Sequence, residues 1–183
     1  MKVNMKYLSI IVPIRKGNDV STLLKSLDEN TSNYEVIIED EGGFAEAINN
    51  GIEKSKGDYV ALLHDDNLVT PGWADELADV GCFNVRESAG WIWGGFYPGS
   101  FCTDPKLNPD YSMFLCLSKK AIKKIGKFDE NFKNPWCQDV DMGFQIRKAG
   151  FKIKCLPGKI IHNWAGGEHT GENENYLKRK WGI

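Results

Sequence analysis

Asp58-Tyr59-Val60-Ala61-Leu62-Leu63-His64-Asp65-Asp66-Asn67 is an apolar run that ends abruptly in a histidine and two carboxylates. A strand buried on both faces reads as a continuous apolar stretch, and parallel strands inside α/β domains have that character. Ligands of such domains bind beyond the carboxyl ends of the strands. The run therefore predicts a central parallel strand over 58–63 with Asp65 and Asp66 at a ligand-binding edge. Two carboxylates about 4 Å apart repel by roughly 4 kcal/mol at an effective dielectric near 20, which favours either solvent or a bound divalent cation. Neighbouring residues in extended backbone point to opposite sides, so one aspartate suits a metal and the other a sugar or ribose hydroxyl. An acidic turn after a strand is the plainer alternative.

Upstream of this strand the chain alternates strand and helix. Tyr7–Ile14 (YLSIIVPI) reads as a first strand. Asp19 precedes Val20, Leu23, Leu24 and Leu27, whose 3.6-residue spacing marks a helix that Asp19 can cap. Tyr34–Glu39 (YEVIIE) is a second strand that ends at Asp40. After Gly42-Gly43, the residues Phe44, Ala47, Ile48 and Ile52 mark a second helix ending near Gly57. This order implies parallel strands joined by right-handed crossovers. Asp40 then shares the edge with Asp65 and Asp66.

Downstream, Thr70-Pro71 has the form of an N-cap followed by a proline at the first helical position, which predicts a third helix. A strand is expected within Val85–Trp93. The Gly- and Pro-rich segment Gly94–Ser112 has the length of a lid or binding loop. Met113–Leu117 is a strand, and Ser118 caps a short helix over Lys119–Ile125 that Gly126 closes. A helix from Gln138 to about Ala149 and a last strand over Phe151–Ile161 follow. Asp139 and Asp141 lie about 200° apart on their helix, so at most one faces a common site. One can act as a general base, although acidic residues in a first helical turn are favourable in any case. His162, after the last strand, is either structural or a metal ligand.

The bulk properties narrow the classes. The 183 residues suit one domain, with 42% apolar and 26% charged residues. A net charge of -2 and a pI near 5.9 give no basic excess for a nucleic-acid backbone. Lys178-Arg179-Lys180 reads as a solvated helix face or tail. The five cysteines, Cys82, Cys102, Cys116, Cys137 and Cys155, have no zinc-site spacing and read as reduced, mostly buried thiols of a cytoplasmic protein. No stretch approaches the ~18 apolar residues of a transmembrane helix, and the N-terminal run reads as a strand rather than a signal peptide. P-loop and dinucleotide-binding glycine patterns are absent. The six tryptophans are expected mainly in the core, with one or two free to stack on a sugar or base.

Taken in order, SIIVPI, YEVIIED, GFAEAINNGIEKSKGDYVALLHDDNLVTPGW, IGKFDENF and QDVDMGFQIRKAGFKIKCLPGKIIHNW resemble the family 2 glycosyltransferases over nearly the whole chain. The resemblance implies an α/β fold of GT-A type, a Rossmann-like three-layer sandwich with a mostly parallel central sheet, as one domain over 1–183. It implies a metal-dependent inverting enzyme that moves a sugar from a nucleoside-diphosphate sugar, most simply a UDP-sugar, to a hydroxyl of a glycan, lipid-linked, protein or other acceptor. By the same resemblance Pro13, Asp40 and Asp65 contact the nucleotide or donor sugar. Asp66 and His162 hold Mn²⁺ or Mg²⁺, and Asp139 is the catalytic base. His64 stands where the family often has the first aspartate of D-x-D, and Gln138 replaces the usual glutamate. Those departures motivate a second expectation, a GT-A-like module that binds a nucleotide or glycan without turnover.

Overall fold

The computed structural model describes residues 7–87, 114–133, 137–162 and 171–183. Its strands are β1 (Leu8–Pro13), β2 (Tyr34–Glu39), β3 (Tyr59–Leu62), β4 (Asn67–Val69), β5 (Val80–Glu87), β6 (Leu115–Ser118) and β7 (Lys154–His162). Its helices are α1 (Ser21–Asn30), α2 (Phe44–Lys54), α3 (Lys119–Ile125), α4 (Gln138–Lys148) and α5 (Gly171–Trp181). Among the described residues none of these helices is long and apolar enough to cross a membrane.

The strands form one sheet in the order β2-β1-β3-β6-β5-β7-β4. β1 pairs in parallel with both β2 and β3, and β5 pairs in parallel with β7. β6 is antiparallel to β3 and β5, and β4 is antiparallel to β7. Five strands thus run one way and two the other, the mostly parallel sheet expected. Both faces are covered, and the alternation within each strand shows it. Leu8, Ile10 and Val12 of β1 join Leu23 and Leu27 of α1 on one face, whereas Ile11 joins Ile48 and Ile52 of α2 on the other. Ala61 and Val60 of β3 divide in the same way. Helices α3 and α4 extend the second layer through Ala121, Ile125, Met142 and Ile146. The result is the three-layer sandwich.

Two close approaches fix the crossovers. Gly57 lies so near β1 that a Cβ there would sit 2.6 Å from the Ser9 nitrogen, and its own N–H donates to Ser9 Oγ at 2.8 Å. A Cβ on Gly51 would meet the Ile11 side chain at 2.5 Å, which brings α2 close against the sheet. Asn49, buried in α2, donates to the Phe128 carbonyl and accepts the Phe128 N–H, both at 2.9 Å. That pair of bonds fastens the Gly126–Phe132 turn to the first half of the chain.

Three expectations change. No helix follows Thr70-Pro71. The Trp73 N–H bonds to the Thr70 carbonyl and the Asp75 N–H to the Gly72 carbonyl, with Gly72 at φ +76°. That left-handed glycine closes turns instead of continuing a helix. Trp73 drives the choice, since it is fully buried against Phe83 and its Nε1–H donates to Thr31 Oγ1 at 2.8 Å. The strand expected within 85–93 starts earlier, at Val80, and residues 88–93 lie outside the described ones, as does the 94–112 loop. The last strand runs 154–162 rather than 151–161. By contrast, the α3 boundaries are as expected, with the Ala121 N–H on Ser118 Oγ at 3.1 Å and Gly126 closing the helix.

Candidate functional site

The parallel register of β2, β1 and β3 sends their carboxyl ends to one edge. Pro13 is paired with Glu39, so Asp40 follows beside Ile14. Pro13 is buried. Glu39 is also buried, and Lys54 Nζ neutralises it by contacting its two oxygens at 2.7 and 2.8 Å. Asp40 is therefore the carboxylate that this strand end presents to solvent.

Beyond β3 the chain makes a tight turn. The Asn67 N–H bonds to the His64 carbonyl at 3.2 Å, and the buried Asn67 side chain accepts the His64 N–H at 2.7 Å. Asn67 then opens β4 and lies opposite His162 in β7. This pairing sets His162 beside the His64–Asn67 turn although about a hundred residues separate them in sequence. The two aspartates of the turn diverge. Asp65 Oδ2 accepts a hydrogen bond from Asn18 Nδ2, whereas Asp66 Oδ2 lies 3.3 Å from His162 Nε2.

His64, Asp66 and His162 each offer a ligand atom within 4.8 Å of the others. The imidazoles are boxed in by aromatic rings. Phe114 lies 5.0 Å from His64 and 5.1 Å from His162, and Phe44 meets the His64 ring edge-on at 5.9 Å. Among the described residues the buried Nε2 of His64 has no hydrogen-bond partner, whereas the buried Nε2 of His162 faces Asp66 Oδ2. Burial, aided by the neighbouring His162, pushes His64 down to about 4, so its ring is neutral at pH 7. Burial acts to raise the Asp66 carboxyl, but His162 and His64 outweigh it and hold the group below the usual carboxylate range. An ionised carboxylate with neutral imidazole beside it is a donor set suited to a divalent cation. The sequence reading does not group His64 with Asp66 and His162, and the structure brings the three together. The spacing His-x-Asp with a later histidine was the signal that could have found the grouping.

Helix α4 carries the other acidic pair, and its two members separate. Cys137 precedes it in the left-handed conformation at φ 67°, its thiol pushed up to about 11 by burial and nearby Asp139 and Glu174. Asp141, only 1% exposed, is committed to structure. It accepts Gln145 Nε2, Trp181 Nε1 and Lys180 Nζ at 2.7, 2.8 and 2.7 Å. Asp139 is 9% exposed, and its Oδ1 accepts the Val140 N–H at 2.8 Å. Burial raises its carboxyl to about 7, which suits a group that must take up and release a proton near neutrality.

Lys180 corrects the reading of 178–180 as wholly solvated. Its Nζ lies 2.7 Å from both Asp129 Oδ2 and Asp141 Oδ1, and Tyr176 adds a bond to Asp129 at 2.9 Å. Of the cysteines, Cys82 and Cys116 are buried and Cys137 is half-buried. Trp73 belongs to the core, and Trp181 stacks on Phe144 at 5.0 Å. The remaining four tryptophans lie outside the described residues.

The profile described as glycosyl transferase family 2 matches residues 10–126. An uncharacterised protein, y4gI, of Sinorhizobium fredii is 25% identical over 74% of this chain. The chain spans only 20% of that relative's length. Among solved structures, Staphylococcus aureus TarS 1-349 in complex with UDP superimposes with a TM-score of 0.70 at 15% identity, over 94% of this chain and 63% of TarS 1-349. GalNAc-T7 with UDP, GalNAc and Mn²⁺ gives 0.69 at 11% identity, over 94% of this chain and 48% of the other. These likenesses establish a shared fold.

Proposed function

Because the chain belongs to glycosyl transferase family 2, we propose that it is a metal-dependent, inverting glycosyltransferase. It takes a sugar from a nucleoside-diphosphate donor, most simply a UDP-sugar, to an acceptor hydroxyl, with residues 1–183 acting as one unit. The observation that carries this reading is the convergence of strand ends. Pro13, Asp40 and the His64–Asn67 turn share an edge with His162, and the ionised Asp66 meets a buried imidazole there. The UDP in the TarS and GalNAc-T7 structures supports a uridine nucleotide as donor.

In this reading Pro13 and Asp40 border the nucleoside, and Asp65, held by Asn18, faces the ribose or donor sugar. Asp66 and His162 hold the divalent cation, Mn²⁺ or Mg²⁺. Their fit rests on a carboxylate kept charged and a buried ring nitrogen 3.3 Å from it. When bound, such an ion supplies Lewis-acid neutralisation of the leaving diphosphate. Asp139 takes the proton of the acceptor hydroxyl on its carboxylate as that oxygen attacks the anomeric carbon. A positioned base of this kind contributes ~10²–10⁴-fold to rate. Inversion follows from direct attack by the activated hydroxyl, with no enzyme nucleophile.

A thermal-shift panel of nucleoside diphosphates and nucleotide sugars, with and without Mn²⁺, tests the reading. Selective binding to the native state raises the melting temperature by mass action. UDP with Mn²⁺ is expected to stabilise the protein more than UDP with chelator, and product analysis from the stabilising donor is expected to show the inverted anomer. No stabilisation by any nucleotide, with or without metal, would refute it.

A further inference from the structure

We propose that His64 is a third protein ligand to the cation. The chain then binds its ion through a His–Asp–His set before any nucleotide arrives, and it prefers borderline transition-metal ions to magnesium. The inference rests on the transferase reading for the site's purpose but not for its chemistry. Three observations lead to it. The ligand atoms of His64, Asp66 and His162 all lie within 4.8 Å of one another. The Nε2 atom of His64 is buried without a hydrogen-bond partner among the described residues, and that of His162, in a ring only 9% exposed, faces Asp66 Oδ2 at 3.3 Å. Leaving the His64 ring nitrogen unsatisfied costs stability, and one ion shared with His162 and Asp66 removes that loss.

The third observation is rigidity. The His64 ring is packed against Phe44 and Phe114 and stands edge-on to His162 at 5.3 Å, 76° between planes. Its backbone is fixed by Asn67 Oδ1. Neither imidazole has to be ordered when the ion binds.

Donor chemistry then decides which ion. Imidazole suits zinc, iron, nickel and copper, whereas magnesium prefers oxygen. Magnesium dehydrates reluctantly and is usually held by one or two carboxylates together with substrate phosphates. A site with one carboxylate and two imidazoles offers magnesium little without a diphosphate, and it offers manganese or zinc three ligands at once. With a single carboxylate the bound ion also retains a net positive charge for the diphosphate.

The test reads metal binding directly, through the electron paramagnetic resonance signal of free Mn²⁺, with no nucleotide present. The wild-type protein is expected to deplete that signal with one site per chain. Zn²⁺ should displace Mn²⁺ at comparable concentration, following the divalent affinity order, and Mg²⁺ should fail to do so at about 100-fold excess. His64→Gln should weaken Mn²⁺ binding by at least about tenfold, since even outer-shell partners of a metal site are worth 10–100-fold. His64→Phe, which fills the same aromatic box, should do the same while keeping the melting temperature of the metal-free protein. Wild-type binding of Mn²⁺ only in the presence of UDP, displacement by equimolar Mg²⁺, or unchanged affinity in both variants would each overturn the inference. Nucleotide-free Mn²⁺ binding with no nucleotide response at all would leave this inference standing and refute the transferase reading. Equal UDP–Mg²⁺ stabilisation in wild type and both variants, without nucleotide-free Mn²⁺ binding, would do the reverse.

Discussion

Replacing Asp139 with Asn should make the protein more stable and inactive at once. The carboxyl is buried and raised from 3.8 to about 7 by that burial. Its folded-state value therefore lies above the unfolded one, and the native state prefers the protonated, neutral form. The sign follows from proton uptake: between pH 4 and 7 the unfolded chain ionises this group first, so wild-type stability falls as pH rises through that window. The cost is nil near pH 3, about 2 kcal/mol at pH 5 and about 4 kcal/mol at pH 8, where it levels off. Asparagine carries no charge, retains an oxygen for the Val140 N–H and escapes the whole cost. For a chain of this size the gain at pH 8 corresponds to roughly 8–16 °C in melting temperature. Paired thermal or urea denaturation of both proteins at pH 3, 5 and 8 measures it, and transfer assays on the same samples should show a loss of ~10²–10⁴-fold. A difference in stability that does not change with pH would refute the burial argument. A stabilised variant with full turnover would refute the assignment of Asp139 as base.

Four further outcomes are expected of the same protein. Wild-type kcat/KM should rise with pH through about 7 as Asp139 ionises, and a flat pH–rate profile would exclude it. Asp66→Ala should abolish the Mn²⁺-dependent part of UDP stabilisation, read by thermal shift. Asn49→Ala strands the Phe128 N–H and carbonyl in the interior and should cost about 2–3 kcal/mol in urea denaturation. Lys180→Ala removes the cation shared by Asp129 and Asp141 and should cost about 2 kcal/mol at pH 7, discounted because Lys180 is partly exposed. Burial acts to raise the Asp129 carboxyl, but Lys180, Asn131 and Tyr176 outweigh it and hold it at about 2. The stability from that group is present above pH 4 and lost as pH falls toward 2, so the variant should show a shallower acid transition.

What the residues revealed in advance depended on how local the cause was. β1 to β3 were readable because continuous apolar runs and 3.6-residue spacing are local signals, and α3 because its serine cap and closing glycine are adjacent to it. The Thr70-Pro71 segment was misread because a capped helix start and a proline turn share the same first two residues. The outcome was settled by Gly72 and by where Trp73 could be buried. β5 was placed late because Gly81 and Cys82 lack the β-branched signature. Gly81 belongs there because the Leu156 side chain fills its space, and a Cβ would come within 2.6 Å of it. At the site, Asp65 and Asp66 diverge, but through the tight turn after β3 rather than through strand alternation. The approach of His64 to His162 and the service of Lys180 to Asp129 and Asp141 are tertiary, and no local pattern announces them.

The pairing of Asn67 with His162 has a consequence for how the site comes into being. During synthesis the strands β1, β2 and β3 can associate early, but β7 is made about a hundred residues after His64. At roughly 5–20 residues per second, the nascent chain carries its acidic turn for several seconds without the second histidine. The proposed cation site is thus among the last features to close, and it closes only when β4 has paired with β7. On the proposed reading, metal affinity in this chain reports the completed pairing of β4 with β7.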